Sequence, residues 1–60
     1  MDFLNRAEQY CEQFGDELWF KEFYTKHREY HSVQESVWRT LMCLYSVEVA
    51  NKLEQALRVD

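Results

Sequence analysis

From Ser32 to Leu57 the chain reads SVQESVWRTLMCLYSVEVANKLEQAL, without a Gly or a Pro. Apolar residues recur there every three to four positions, the period of a helix. Ser32 suits an N-cap, and Glu35 stands three residues later, where a capping-box carboxylate belongs. The run predicts one helix over 33–58, roughly 38 Å long at ~1.5 Å per residue. A chain of 60 residues cannot enclose such a rod. Something must lie alongside it: the rest of the chain, or a second copy.

The first half supplies a companion. Asp2 is placed to cap a first helix, and Phe3, Ala7, Tyr10 and Phe14 follow at helical spacing, flanked by Leu4, Cys11 and Leu18. Beyond Gly15 the apolar stripe moves around the axis to Trp19, Phe20, Phe23, Tyr24, His27 and Tyr30. Gly15 therefore either ends one helix, with Asp16 capping the next, or kinks a continuous arm. His31–Ser32 is the turn. Segments 2–14, 16–30 and 33–58 then form a single all-α domain over 1–60. Its shape is an antiparallel helical hairpin with the first arm broken or kinked near Gly15. Low Gly and absent Pro argue against strands and their turns.

A hairpin leaves apolar surface over. Ten of the 60 residues are aromatic, too many for a small two-helix monomer to hide. Between Val37 and Ala50 the long helix is apolar on more than one side, and one antiparallel arm covers only one of them. This predicts a homodimer with a helical-bundle core, or an obligate protein partner. The expected interface is Trp19, Phe20, Phe23, Val37, Trp38, Leu41, Met42, Leu44, Tyr45 and Val49. By register about the turn, Trp19 should lie near Cys43–Tyr45 and Trp38 near Thr25.

Chemistry is sparse. Cys11, Cys43, His27 and His31 are the combination to test for zinc, and the two histidines, four apart, share a helix face. In the hairpin Cys43 lies ~17 Å from the turn by helical rise and His27 only ~7 Å. The four cannot converge, so no metal site is expected. Both cysteines sit among apolar residues and read as buried thiols, without the electropositive setting that activates one. Catalytic triads, Gly-rich loops and metal-binding motifs are absent from the sequence. The chain is expected to be no enzyme and to hold no cofactor.

Net charge is −4, which suits phosphate binding poorly, because counterion release needs clustered Lys and Arg. The competing reading is a small hairpin that binds RNA or DNA near the turn through Lys26, Arg28 and Arg39. Glu22, Glu29 and Glu35 interrupt that patch. The first residues mix Asp2, Asn5 and Arg6 with apolar ones, unlike a secretory signal. Arg39, Thr40, Ser46 and Glu48 keep the densest apolar run from being a membrane span. The expected setting is the cytoplasm, with reduced thiols.

In MDFLNRAEQYCEQFGDELWF and VWRTLMCLYSVEVANKLEQAL, and in its size and poverty in Gly and Pro, the chain resembles the small early-region proteins of lambdoid bacteriophages, encoded between the recombination and excision genes. The resemblance spans the whole chain. It implies a helical accessory protein of the infected bacterial cytoplasm, concerned with host cell-cycle effects or the choice between lysis and lysogeny. With the apolar surplus, the expected function is a non-enzymatic interaction module, a phage regulator that acts on a host protein.

Overall fold

Two helix breaks, one anticipated and one not, and the turn between them fold the chain into four helices. The computed structural model describes residues 3–56. They form α1 (Phe3–Gln13), α2 (Glu17–Arg28), α3 (Val33–Leu44) and α4 (Val47–Ala56). The protein is all-α.

Gly15 ends α1 outright. Its φ is +73°, the left-handed region that an L side chain enters at a cost of roughly 1–2 kcal/mol. Gly15 N–H donates to Glu12 O at 3.1 Å and Asp16 N–H to Cys11 O at 2.9 Å. That pair of bonds is a Schellman closure, which satisfies carbonyls the helix end would otherwise leave open. Asp16 then takes the N-cap position of α2, but its side chain makes no cap bond. The carboxylate is engaged elsewhere.

The predicted helix over 33–58 does not form as one piece. The part beyond Ala56 lies outside the described residues, as does Asp2. Within them α3 stops at Leu44 and α4 starts at Val47. Tyr45, the C-cap, leaves helical geometry at φ −126° and ψ −91°. Ser46 restarts the helix, its Oγ accepting from Val49 N–H at 3.2 Å. The fold measures 30 × 25 × 20 Å, shorter than the unbroken rod of roughly 38 Å would be.

This second break gives the apolar surplus of the long helix a cover within the chain. α3 lies at the centre, in contact with α1, α2 and α4. The surplus apolar side of α3 is covered by α4 of the same chain. Two side-chain bonds help to hold α4 there. Trp38 Nε1 donates to Asn51 Oδ1 at 2.9 Å, and Gln34 Nε2 to Glu54 Oε2 at 3.0 Å. The core joins Phe3, Ala7, Cys11, Phe20, Val37, Leu41 and Ala50, with Leu4, Tyr24, Trp38, Leu44, Tyr45 and Leu53 packed against it. Ser36 and Thr40 are fully buried on α3 beside Val37 and Leu41. Thr40 Oγ1 donates to Ser36 O at 2.7 Å, so its hydroxyl is buried without the penalty of a lost bond.

Ser32 caps α3 as expected, accepting from Glu35 N–H at 3.3 Å. Glu35 does not complete the box; its Oε1 accepts from Arg39 Nε at 3.0 Å, one turn along. Among the described residues no helix is long and apolar enough to cross a membrane.

Candidate functional site: the acidic aromatic corner

The corner between α1 and α2 gathers three exposed large apolar side chains. Phe14 is 58% exposed, Leu18 75% and Trp19 57%. Phe14 and Leu18 were expected to continue the buried stripe of α1. Gly15 stops the helix before that periodicity can carry them inward, so both face solvent.

Helix α2 has two aromatic faces. Phe20 is buried and stacks on Tyr24, with ring centroids 5.7 Å apart and planes 8° from parallel. Trp19 stacks on half-buried Phe23 at 6.1 Å and 23°. At ~100° per residue, Trp19 and Phe23 lie 40° apart and Phe20 and Tyr24 form the neighbouring row. The first row points out and the second points in. Tyr30, just past the end of α2, is 81% exposed.

Below the exposed rings lies a polar knot. Tyr45 Oη donates to Asp16 Oδ2 at 2.8 Å. The Tyr45 ring meets Tyr10 edge-on at 5.2 Å and Phe14 at 6.0 Å. Buried Cys11 lies within hydrogen-bonding reach of the same hydroxyl. Burial pushes the Cys11 thiol above its ordinary value, the bond with Tyr45 opposes the rise, and the charges of Asp16, Glu17 and Glu8 add to it. Burial, then the bonds to Asp16 and Cys11, push the Tyr45 phenol up as well. Both groups stay protonated near neutral pH, so the knot holds neither a thiolate nucleophile nor a phenolate base. Glu12 at the end of α1 and Asp16 and Glu17 at the start of α2 make this corner acidic.

The expected interface residues divide. Trp19 is exposed, and Phe23, Met42 and Val49 are half-buried. Phe20, Val37 and Leu41 are buried in the protomer's own core and have no surface to offer a partner. Leu44 and Tyr45 pack against that core. Trp38 donates its indole N–H to Asn51 of α4. Trp19 has Phe23 as its ring partner, and Tyr45 has Tyr10, Phe14 and Asp16. Val33 and Val47 are exposed as well.

The basic set is largely committed to its own chain. Arg28 Nη1 donates to His31 O at 2.6 Å and closes the α2–α3 turn. Arg39 pairs with Glu35 at 3.0 Å. Lys26 is exposed. The His27 and His31 rings lie 6.0 Å apart. Burial, then the neighbouring His31 and Arg39, lower the affinity of His27 for a proton. Among the described residues no three His, Cys, Asp or Glu side chains are grouped to hold a metal ion. Cys43, expected to be buried, is exposed.

Comparisons of the chain with protein-family models, curated proteins and solved structures return no match.

Proposed function

We propose that the chain is a non-enzymatic protein-interaction module, a phage early regulator that acts on a host protein in the bacterial cytoplasm. One observation carries the reading: Phe14, Leu18 and Trp19 stand exposed at a single corner of a domain whose own core is closed. Large exposed aromatic and aliphatic groups in one place mark interaction surfaces. The resemblance to early phage proteins supplies the setting. The nucleic-acid reading draws no support from Arg28 and Arg39, which are engaged within the chain.

The test is capture of host proteins on immobilised wild-type chain, compared with Trp19→Ala and Trp38→Ala. Trp19→Ala is expected to lose the partner while keeping the wild-type circular dichroism. Trp38→Ala loosens α4 and serves as the folding control. Equal recovery of every host protein on wild-type chain and a folded Trp19→Ala variant would remove the corner from the proposal.

A further inference from the structure

The whole net charge of the protein is concentrated at the corner that exposes its rings. Between Glu8 and Glu22 stand Glu8, Glu12, Asp16, Glu17 and Glu22 against Lys21 alone, a balance of −4 that equals the formal net charge of all 60 residues. Elsewhere acids and bases cancel. Glu8 and Glu12 lie one turn apart on α1, Asp16 and Glu17 open α2 directly after the break, and Glu22 follows on α2. Glu12 and Glu22 are exposed on either side of the break, one at the end of α1 and one on α2. Phe14, Leu18 and Trp19 lie between them in the chain and are exposed too.

An apolar centre with a rim of one sign selects the partner that carries the other sign. A second copy of this chain presenting the same corner would bring like charges face to face, which opposes association. Phosphate-bearing nucleic acid and anionic lipid are repelled for the same reason. A helix with an apolar stripe flanked by Lys and Arg satisfies both halves of the surface: its stripe covers Phe14, Leu18 and Trp19, and its basic flanks meet Glu12 and Glu22. This is the helix-on-apolar-surface mode of peptide recognition.

Resting on the interaction reading above, we infer that the α1–α2 corner is a docking site for a basic amphipathic helix of a partner protein, gripped by Phe14, Leu18 and Trp19 and oriented by Glu12 and Glu22. Lys21 is the one cation within this stretch and weakens the grip.

The test uses three synthetic helical peptides of one Leu pattern, with Lys, Gln or Glu at the polar positions. Each is titrated into the full chain carrying Trp38→Phe, so that Trp19 is the only indole reporting. The Lys peptide is expected to bind at least ~10-fold tighter than the Glu peptide, with affinity falling as salt is raised. Glu12→Gln with Glu22→Gln should weaken it several-fold, Lys21→Glu should strengthen it, and Glu48→Gln on α4 should leave it unchanged. Leu18→Ala, a change at an exposed position, should weaken all three peptides.

Equal affinity for Lys and Glu peptides, still sensitive to Leu18→Ala, overturns the charge selection and leaves the interaction surface standing. An effect of Glu48→Gln as large as that of the Glu12 and Glu22 changes overturns the site, because general attraction to an acidic protein then explains the binding. Failure of all three peptides to bind overturns the inference. If Trp19→Ala also leaves host capture intact, the interaction reading falls with it. Concentration-dependent dimerisation abolished by Leu18→Ala names a second copy as the occupant instead.

Discussion

The two helix breaks touch one another, yet they are made in different ways. At Gly15 the backbone does the work: a φ of +73° and two Schellman bonds among Cys11, Glu12, Gly15 and Asp16 end α1. At Tyr45–Ser46 there is no Gly or Pro. Tyr45 N–H still donates to Leu41 O at 2.8 Å, as in a continuing helix, before the chain turns. What distinguishes Tyr45 is tertiary. Its hydroxyl is held by Asp16 and its ring by Tyr10 and Phe14, all from the first corner. The first break is written locally, and the second leans on the first. Asp16 can receive Tyr45 because Gly15 has placed it, and the cap bond it forgoes on α2 is replaced by one across the domain.

The largest expected effect removes that dependence. Tyr45→Ala takes away the ring and the bond together. Truncating a fully buried aromatic costs ~3–5 kcal/mol. Tyr45 is only half-buried, so a loss of about 2–3 kcal/mol is expected in urea unfolding. In a domain this small that is a large part of the total. Hydrogen exchange should also accelerate at α4 amides more than at α2 amides. A loss under about 0.5 kcal/mol, typical of an ordinary surface change, would show that the second corner is local after all.

Gly15→Ala tests the other side of the comparison. Nothing lies within 4 Å of where the new Cβ would stand, so any cost is conformational. It should come to roughly 1–2 kcal/mol in the same measurement. D-Alanine at position 15, introduced by chemical synthesis, has the opposite chirality and should match or exceed wild-type stability. Equal losses for both alanines would mean that space, not φ, is what Gly15 provides.

The contrast also explains how much of the fold could be read from the sequence. All-α class, the end of α1 at Gly15 and the Ser32 cap rest on local chemistry and are visible in a single strand of text. Ser46 is an equally good N-cap, with Glu48 in the first turn of α4, but a Ser inside an uninterrupted apolar run gives no reason to stop. That reason is the grip of Asp16, Tyr10 and Phe14 on Tyr45, which come from the far end of the chain. The same omission displaced the candidate site. An unbroken long helix needed outside cover, so Val37 and Leu41 were assigned to a partner, and Phe20 joined them as one ring of an aromatic surplus. Val37 and Leu41 are core once α4 folds back, Phe20 is core on α2, which packs on α3 and α1, and exposed Phe14, Leu18 and Trp19 stand beside Gly15. Trp19 was identified from its size alone. Phe14 and Leu18 were missed because a stripe was extended through a residue that ends it.

The Tyr45–Asp16 bond itself is the next smaller term. Tyr45→Phe keeps the ring and should cost about 1 kcal/mol, less than the ~1.5–3 of a buried bond to a charged group, because the pair is partly solvated. Asp16→Asn probes the same bond from the other side. In a double-mutant cycle the two losses should fail to add, by about 0.5 kcal/mol or more. Additivity would separate the corners energetically and leave ring packing alone to join them.

The smallest effect belongs to Ser46. Its cap bond is long at 3.2 Å and lies at the surface, so Ser46→Ala should cost only about 0.5 kcal/mol, the low end for an N-cap. The size relative to Tyr45→Ala is what matters. If the break is imposed from across the domain, losing the cap leaves α3 and α4 distinct, and the chemical shifts of Tyr45 and Val47 stay non-helical. If instead the cap makes the break, Ser46→Ala lets the helix run through. Those shifts would then move to helical values, the Tyr45–Asp16 bond would open, and the loss would approach that of Tyr45→Ala.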